Sequence, residues 1–339
     1  MSKRTRLFVF VASASLVAGV GTAAVASYVG LDNIGLLGQG SDGDLAYVPG
    51  SSQLVAHADV RQLMDSELRQ RLKPALESAA GHGLSIEELG LNFETDIDSL
   101  TMAALPAAPD AVSPTDSSLV LVHGRFDTGR IEAAVRNQGG VPEDYRGTRL
   151  VTTDKVGVAF IETGLIAVGS PAAVRAALDT KATGSTAVTK NEALMSLLRR
   201  VDDGNAWVVA DFAALQTSKM VPAPVAGQLP AITWLAASGN VTSGVSGRVL
   251  AEGRDETAAQ DLREVVRGFV ALARMQTGTQ ADFAQLLDSI ELTSDGKTVA
   301  VKFDVPGQFF DRLKDATVQQ APVSKPGTVV RQLPAKPAA

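Results

Sequence analysis

Cysteine is absent from all 339 residues. That excludes disulfides, zinc–thiolate sites, iron–sulfur clusters and thiol nucleophiles. Histidine is almost absent: His57, His82 and His123 stand far apart, with no H-x-H or H-x-x-x-H spacing to gather metal ligands. Aromatic residues make up only 5% of the chain, so the core must be built from Ala, Val, Leu and Ile. Positive charge is scarce in the body. Lys3, Arg4 and Arg6 open the sequence, and Lys325, Arg331 and Lys336 lie in the last 24 residues, with no acid in either stretch. Setting those six aside leaves 25 basic residues against 37 acidic ones, a net of −12. Such a body repels phosphate backbones, which argues against nucleic-acid binding.

Against these shortages, hydrophobic residues are plentiful at 45% and charged residues are held to 20%, the balance of a core-forming protein. A core of this size is stable without disulfides, and the length suits one large domain or two ordinary ones.

The basic opening precedes an uncharged run from Leu7 to Leu31. Cations on the cytoplasmic side followed by an apolar run are the pattern of an export segment. Ala24-Val25-Ala26 has the form a signal peptidase accepts, and the run is also long enough to span a bilayer. Residues 1–31 therefore read as a signal peptide or an N-terminal membrane anchor. Residues 32–44, rich in Gly and acid, read as a linker.

Strand-like and helical runs alternate through the body. The pattern predicts strands over 53–60, 100–105, 119–126, 148–153, 156–162 and 165–169, and a helix lined by Leu63, Leu68, Leu72 and Leu76. Asp127 caps a helix that Gly139-Gly140 stops, and Ser170-Pro171 opens another. Thr189 with Glu192 matches a capping box. The second half echoes the first: Leu54-Val55-Ala56-His57-Ala58-Asp59-Val60 is answered by Ala206-Trp207-Val208-Val209-Ala210-Asp211-Phe212. Strand 119–126 and its helix correspond to 244–252 and a helix over 255–275. The meander and helix of 148–178 correspond to 289–305 and a helix around 309–313. The expected fold is α+β, two similar units over 45–200 and 201–315, each a mostly antiparallel sheet with helices packed on one face. Residues 316–339, with Pro322, Pro326, Pro334 and Pro337, read as a disordered tail.

Several stretches resemble a family of uncharacterised exported bacterial proteins: 44–49 (DLAYVP), 59–69 (DVRQLMDSELR), 124–140 (GRFDTGRIEAAVRNQGG), 164–179 (GLIAVGSPAAVRAALD), 229–241 (LPAITWLAASGNV) and 296–306 (GKTVAVKFDVP). The resemblance spans about 44–313. It implies a bacterial source and an extracytoplasmic location, and it brings no activity, cofactor or catalytic residue.

Each chemical motif has a stronger structural explanation. Asp127-Thr128-Gly129 matches an aspartic-protease triplet, but a second copy is missing and Asp127 suits a helix cap. Ser294-Asp295-Gly296-Lys297 fits S-x-x-K, yet a turn dipeptide sits inside it and strands flank it. His57 and Asp59, two apart on a strand, form at most a weak ligand pair. Asp42-Gly43-Asp44 is too short for a calcium loop. Trp207 and Trp234 read as core residues. No catalytic, cofactor-binding or metal-binding residue is assigned. The sequence thus predicts a non-catalytic binding or scaffold protein of the cell envelope, periplasmic, secreted or held at the inner membrane by its first residues. Its expected partner is an envelope component. The alternative is a carrier of a hydrophobic, lipid-like ligand in an apolar cleft. An envelope hydrolase ranks last.

Overall fold

The computed structural model describes residues 42–69, 93–106, 117–201, 204–213, 231–277 and 286–309. The expected export segment, most of the linker, the helix beyond residue 69, His82, the helix around 309–313 past its first residue and the Pro-rich tail lie outside the described residues. Among the described residues, no helix is long and apolar enough to cross a membrane.

The architecture is α+β: among the described residues, one antiparallel sheet of 12 strands with helices packed against it. In chain order the strands are β1 (Leu54–Ala58), β2 (Ile97–Ala104), β3 (Ser118–Gly124), β4 (Val141–Tyr145), β5 (Thr148–Thr152), β6 (Gly157–Glu162), β7 (Leu165–Gly169), β8 (Ala206–Asp211), β9 (Ile232–Val241), β10 (Val245–Gly253), β11 (Glu291–Asp295) and β12 (Thr298–Val305). The helices with both ends among the described residues include α1 (Asp42–Leu45), α2 (Val60–Met64), α3 (Phe93–Asp96), α4 (Thr128–Asn137), α5 (Pro171–Thr183), α6 (Glu192–Leu198) and α7 (Glu256–Thr277).

Both halves of the chain contribute to this one sheet, joined where β1 pairs with β8. Outward from that seam the order is β1-β2-β3-β7-β6 on one side and β8-β9-β10-β12-β11 on the other. The register at the seam pairs Leu54 with Ala210, Ala56 with Val208 and Ala58 with Ala206. A two-fold rotation through the Ala56–Val208 pair carries Leu54 onto Ala206 and Ala58 onto Ala210. This is the same alignment as the sequence echo. The first half carries two additional strands, β5 and β4, at its outer edge.

Helices cover both faces of the sheet, where the sequence suggested one. On one face Leu119, Leu121, Leu150, Leu165 and Ala167 pack with Val174, Ala177 and Leu178 of α5 and Leu194, Leu197 and Leu198 of α6. On the other, Val122, Val151, Val158 and Ile166 pack with Ile131 and Val135 of α4. The reason lies in the strands. β3, β5, β6 and β7 carry apolar residues at successive positions, so both pleat faces need cover. In the second half, Ala259 and Leu262 of α7 pack on Ala251 and Val299.

Local chemistry fixes the element ends. The Asp127 side chain accepts from Arg130 N at 3.0 Å and so caps α4. Asp127→Ala is expected to cost about 1 kcal/mol, within a range of about 0.5–2 kcal/mol, measured by chemical denaturation. A loss well above that range would mean that the side chain does more than cap. Ser170 accepts from Ala173 N ahead of Pro171, and Gly184 ends α5 at φ 65°. α6 departs from expectation: its cap is Asn191, which accepts from Leu194 N, and Thr189 lies in a 3₁₀ turn over Val188–Lys190. β4 was not foreseen, because Val-Pro-Glu-Asp-Tyr carries a proline and two acids. Those residues suit an edge strand, where β4 lies.

Candidate functional site

Among the described residues, a buried polar network lies where α1 meets the sheet. The segment leading into β1 is drawn down by Leu45, Tyr47 and Val48, all buried in the largest core cluster. Val188 N donates to Val48 O at 2.8 Å and Gly50 N to Thr186 O at 2.6 Å, so the segment is also tied to the connection between α5 and α6. This anchorage brings Asp44, 2% exposed, over β1, β2 and β3.

Three strand residues meet it. His57 on β1 and Thr101 on β2 are directly opposite in register, and His123 lies on β3. Thr101 Oγ1 donates to Asp44 Oδ2 at 2.7 Å. Its single proton is then spent, so the 2.6 Å contact between Thr101 Oγ1 and His57 Nδ1 has the imidazole as donor. His123 Nε2 donates to Asp44 Oδ1 at 2.5 Å. Asp44 thus receives both a hydroxyl and an imidazole proton, and the Thr101 hydroxyl links it to a second imidazole. On the far side, the His57 ring stacks on Trp207 of β8, with centroids 5.7 Å apart and 26° between planes. The network therefore reaches the seam between the two halves.

Its electrostatics are set by Asp44 and Glu162. The hydrogen bond to Asp44 raises the pKa of His123 above the ordinary 6.5; burial opposes the rise, and the charges of Asp44 and Glu162 add to it. Tyr47 is raised above 10.0 mainly by burial, then by Glu162 and Asp44. Lys181 of α5 lies over the Tyr47 ring, 4.7 Å from its centroid. The strand equivalences place Val209 where His57 stands, Ala236 where Thr101 stands and Glu252 where His123 stands. Among the described strand residues, these three positions of the second half carry no histidine or threonine.

None of these residues was assigned a role from sequence. Asp44 reads there as the end of a linker. A signal existed for the histidines: His57 follows Val55 and His123 follows Leu121 at the two-residue spacing of a buried strand face, which marks a polar group that needs a partner. Thr101, in an otherwise apolar strand, carries the same mark. Nothing local identifies Asp44 as their partner.

The other singled-out residues have separate places. Asp59 lies past the end of β1 and caps α2, accepting from Gln62 N at 2.9 Å. Ser294 and Asp295 end β11, and Gly296, at φ 52°, turns the chain toward β12. Trp234 packs against the main core from β9. No group of three or more candidate metal ligands occurs among the described residues. An open cleft of about 590 Å³ lies between residues 49–51, α5 and the following connection, lined by Gly50, Ser51, Asp179, Thr180, Thr186 and Lys190. Several of its polar groups are already engaged: Asp179 accepts from Tyr145 and Arg146, and Thr180 Oγ1 donates to Ala176 O.

No protein-family model and no curated protein matches the chain, so no family is established for it. Among solved structures, crystal form III of TP0453, a Treponema protein, aligns with a TM-score of 0.44 at 7% identity, covering 81% of this chain and 99% of that one. Crystal form I of TP0453 aligns with a TM-score of 0.45 at 7% identity, over 82% and 98% of the two chains.

Proposed function

We propose that the protein is a non-catalytic binding or scaffold protein of the bacterial cell envelope, built from two similar units and delivered outside the cytoplasm by its first 31 residues. The observation that carries this reading over a lipid carrier is the filled space between sheet and helices. A carrier needs an apolar cavity there. Leu119, Leu121, Leu150, Leu165, Leu194 and Leu197 instead pack into one cluster and are at most 2% exposed. The export pattern supports the location, and the sheet order and seam register support the duplication.

The test is mass spectrometry of what co-purifies with the full chain from envelope extracts, lipids and proteins both. A specific envelope protein without stoichiometric lipid is the expected result. Stoichiometric lipid would replace this reading with the carrier. Fractionation checks the location, and a cytoplasmic chain that retains residues 1–30 would overturn it.

A further inference from the structure

We propose that His123 and Asp44 form a pH-sensitive latch, fastened while His123 holds its second proton and loosened when it loses it, that clamps the segment leading into the fold onto the sheet. The geometry has three parts. Asp44 belongs to the leading segment, and the two hydrogen bonds to its side chain, from His123 and Thr101, both come from the sheet beneath it. His123 stands at the rim, with its side chain 32% exposed, while the Asp44 side chain is 3% exposed. Protons therefore reach the imidazole from solvent, and the carboxylate feels the result from inside. Among the described residues, the other holds on the segment are apolar contacts, the Lys181 ammonium over the Tyr47 ring and two backbone bonds to the α5–α6 connection, so the loosened state is a local opening.

The groups facing His123 act together. Asp44 of α1 and Glu162 at the end of β6 favour the imidazolium. Tyr47 is neutral in this range, and Lys181 meets the Tyr47 ring. His57 is separated by Thr101 and the carboxylate. A histidine whose folded pKa is raised contributes stability that is fully present below its ordinary value of 6.5 and is lost as pH rises through the raised value. The latch therefore holds in mild acid and loosens toward alkaline pH. For a body displayed outside the cytoplasm, the segment it clamps is the one running back to the export segment. The mechanism itself does not depend on the proposed function.

Amide hydrogen exchange of the full chain across the titration of His123, corrected for intrinsic exchange, tests this directly. Protection of peptides covering residues 44–50 should fall by about threefold or more as His123 deprotonates and the segment opens locally. Peptides covering residues 119–122 should hold their protection. His123→Gln should abolish the pH dependence. Glu162→Gln, at an exposed position, should move its midpoint to lower pH while leaving the fold intact. In a Trp234→Phe background, Trp207 fluorescence should follow the same midpoint through His57. Protection at residues 44–50 that is flat with pH, or that varies identically in His123→Gln, would overturn the latch.

Discussion

Leu121→Ala should destabilise the protein by about 2–5 kcal/mol, the cost of emptying a fully buried leucine site in a core that relaxes only in part. Leu121 is 0% exposed in β3, pairing with Thr101 on one side and Ala167 on the other. It belongs to the cluster that ties the sheet to α5, α6 and the leading segment. Three layers of contacts meet there, so collapse around the void is restricted. Leu272→Ala provides the contrast: Leu272 is 47% exposed on α7, and its truncation should change stability by no more than about 0.5 kcal/mol. Urea titrations of both variants measure the difference. A cost below about 1 kcal/mol at Leu121 would mean that the space between sheet and helices is loosely packed. The carrier reading would then regain its footing.

Much of the fold was legible because it is written in local patterns. Val299, Val301, Phe303 and Val305 alternate with Thr298, Ala300, Lys302 and Asp304, and β12 follows them. Ser170-Pro171 and Asp127 open helices through capping chemistry that needs no tertiary context. What could not be read was the side on which each helix lies. Both faces of β3 and β7 are apolar, and sequence alone does not say whether a second apolar face meets another helix or encloses a ligand. α4 settles that for one face, through Ile131 and Val135. The Asp44 network was illegible for a different reason. Asp44 and His123 are 79 positions apart, and Asp44 and Thr101 are 57 apart. Their meeting depends on how Leu45 and Val48 seat the chain. Asn191 taking the cap in place of Thr189 is a smaller case of the same limit: two side chains competed for one helix start, and the 3₁₀ turn decided between them.

Asp44→Ala should cost about 3–5 kcal/mol at about pH 6, because removing one partner of a buried, hydrogen-bonded charge pair strands the groups that pointed at it. Thr101 and His57 are both buried, so the hydroxyl loses its acceptor without gaining water. His123 can rehydrate at its exposed edge, which places the expected cost toward the lower end of that range. Asp44→Asn separates charge from shape. Its carbonyl can still accept from Thr101, but its amide then faces His123 and suits only an imidazole that accepts at Nε2. In that variant the pH trend should reverse, with stability rising as His123 loses its proton, whereas the native chain loses stability over the same interval. A double-mutant cycle of Asp44→Ala with His123→Ala isolates the pair, and a coupling energy of about 0.5–3 kcal/mol is expected for residues in direct contact. Coupling near zero, together with an unchanged pH trend in Asp44→Asn, would show that Leu45, Tyr47 and Val48 hold the leading segment by packing alone.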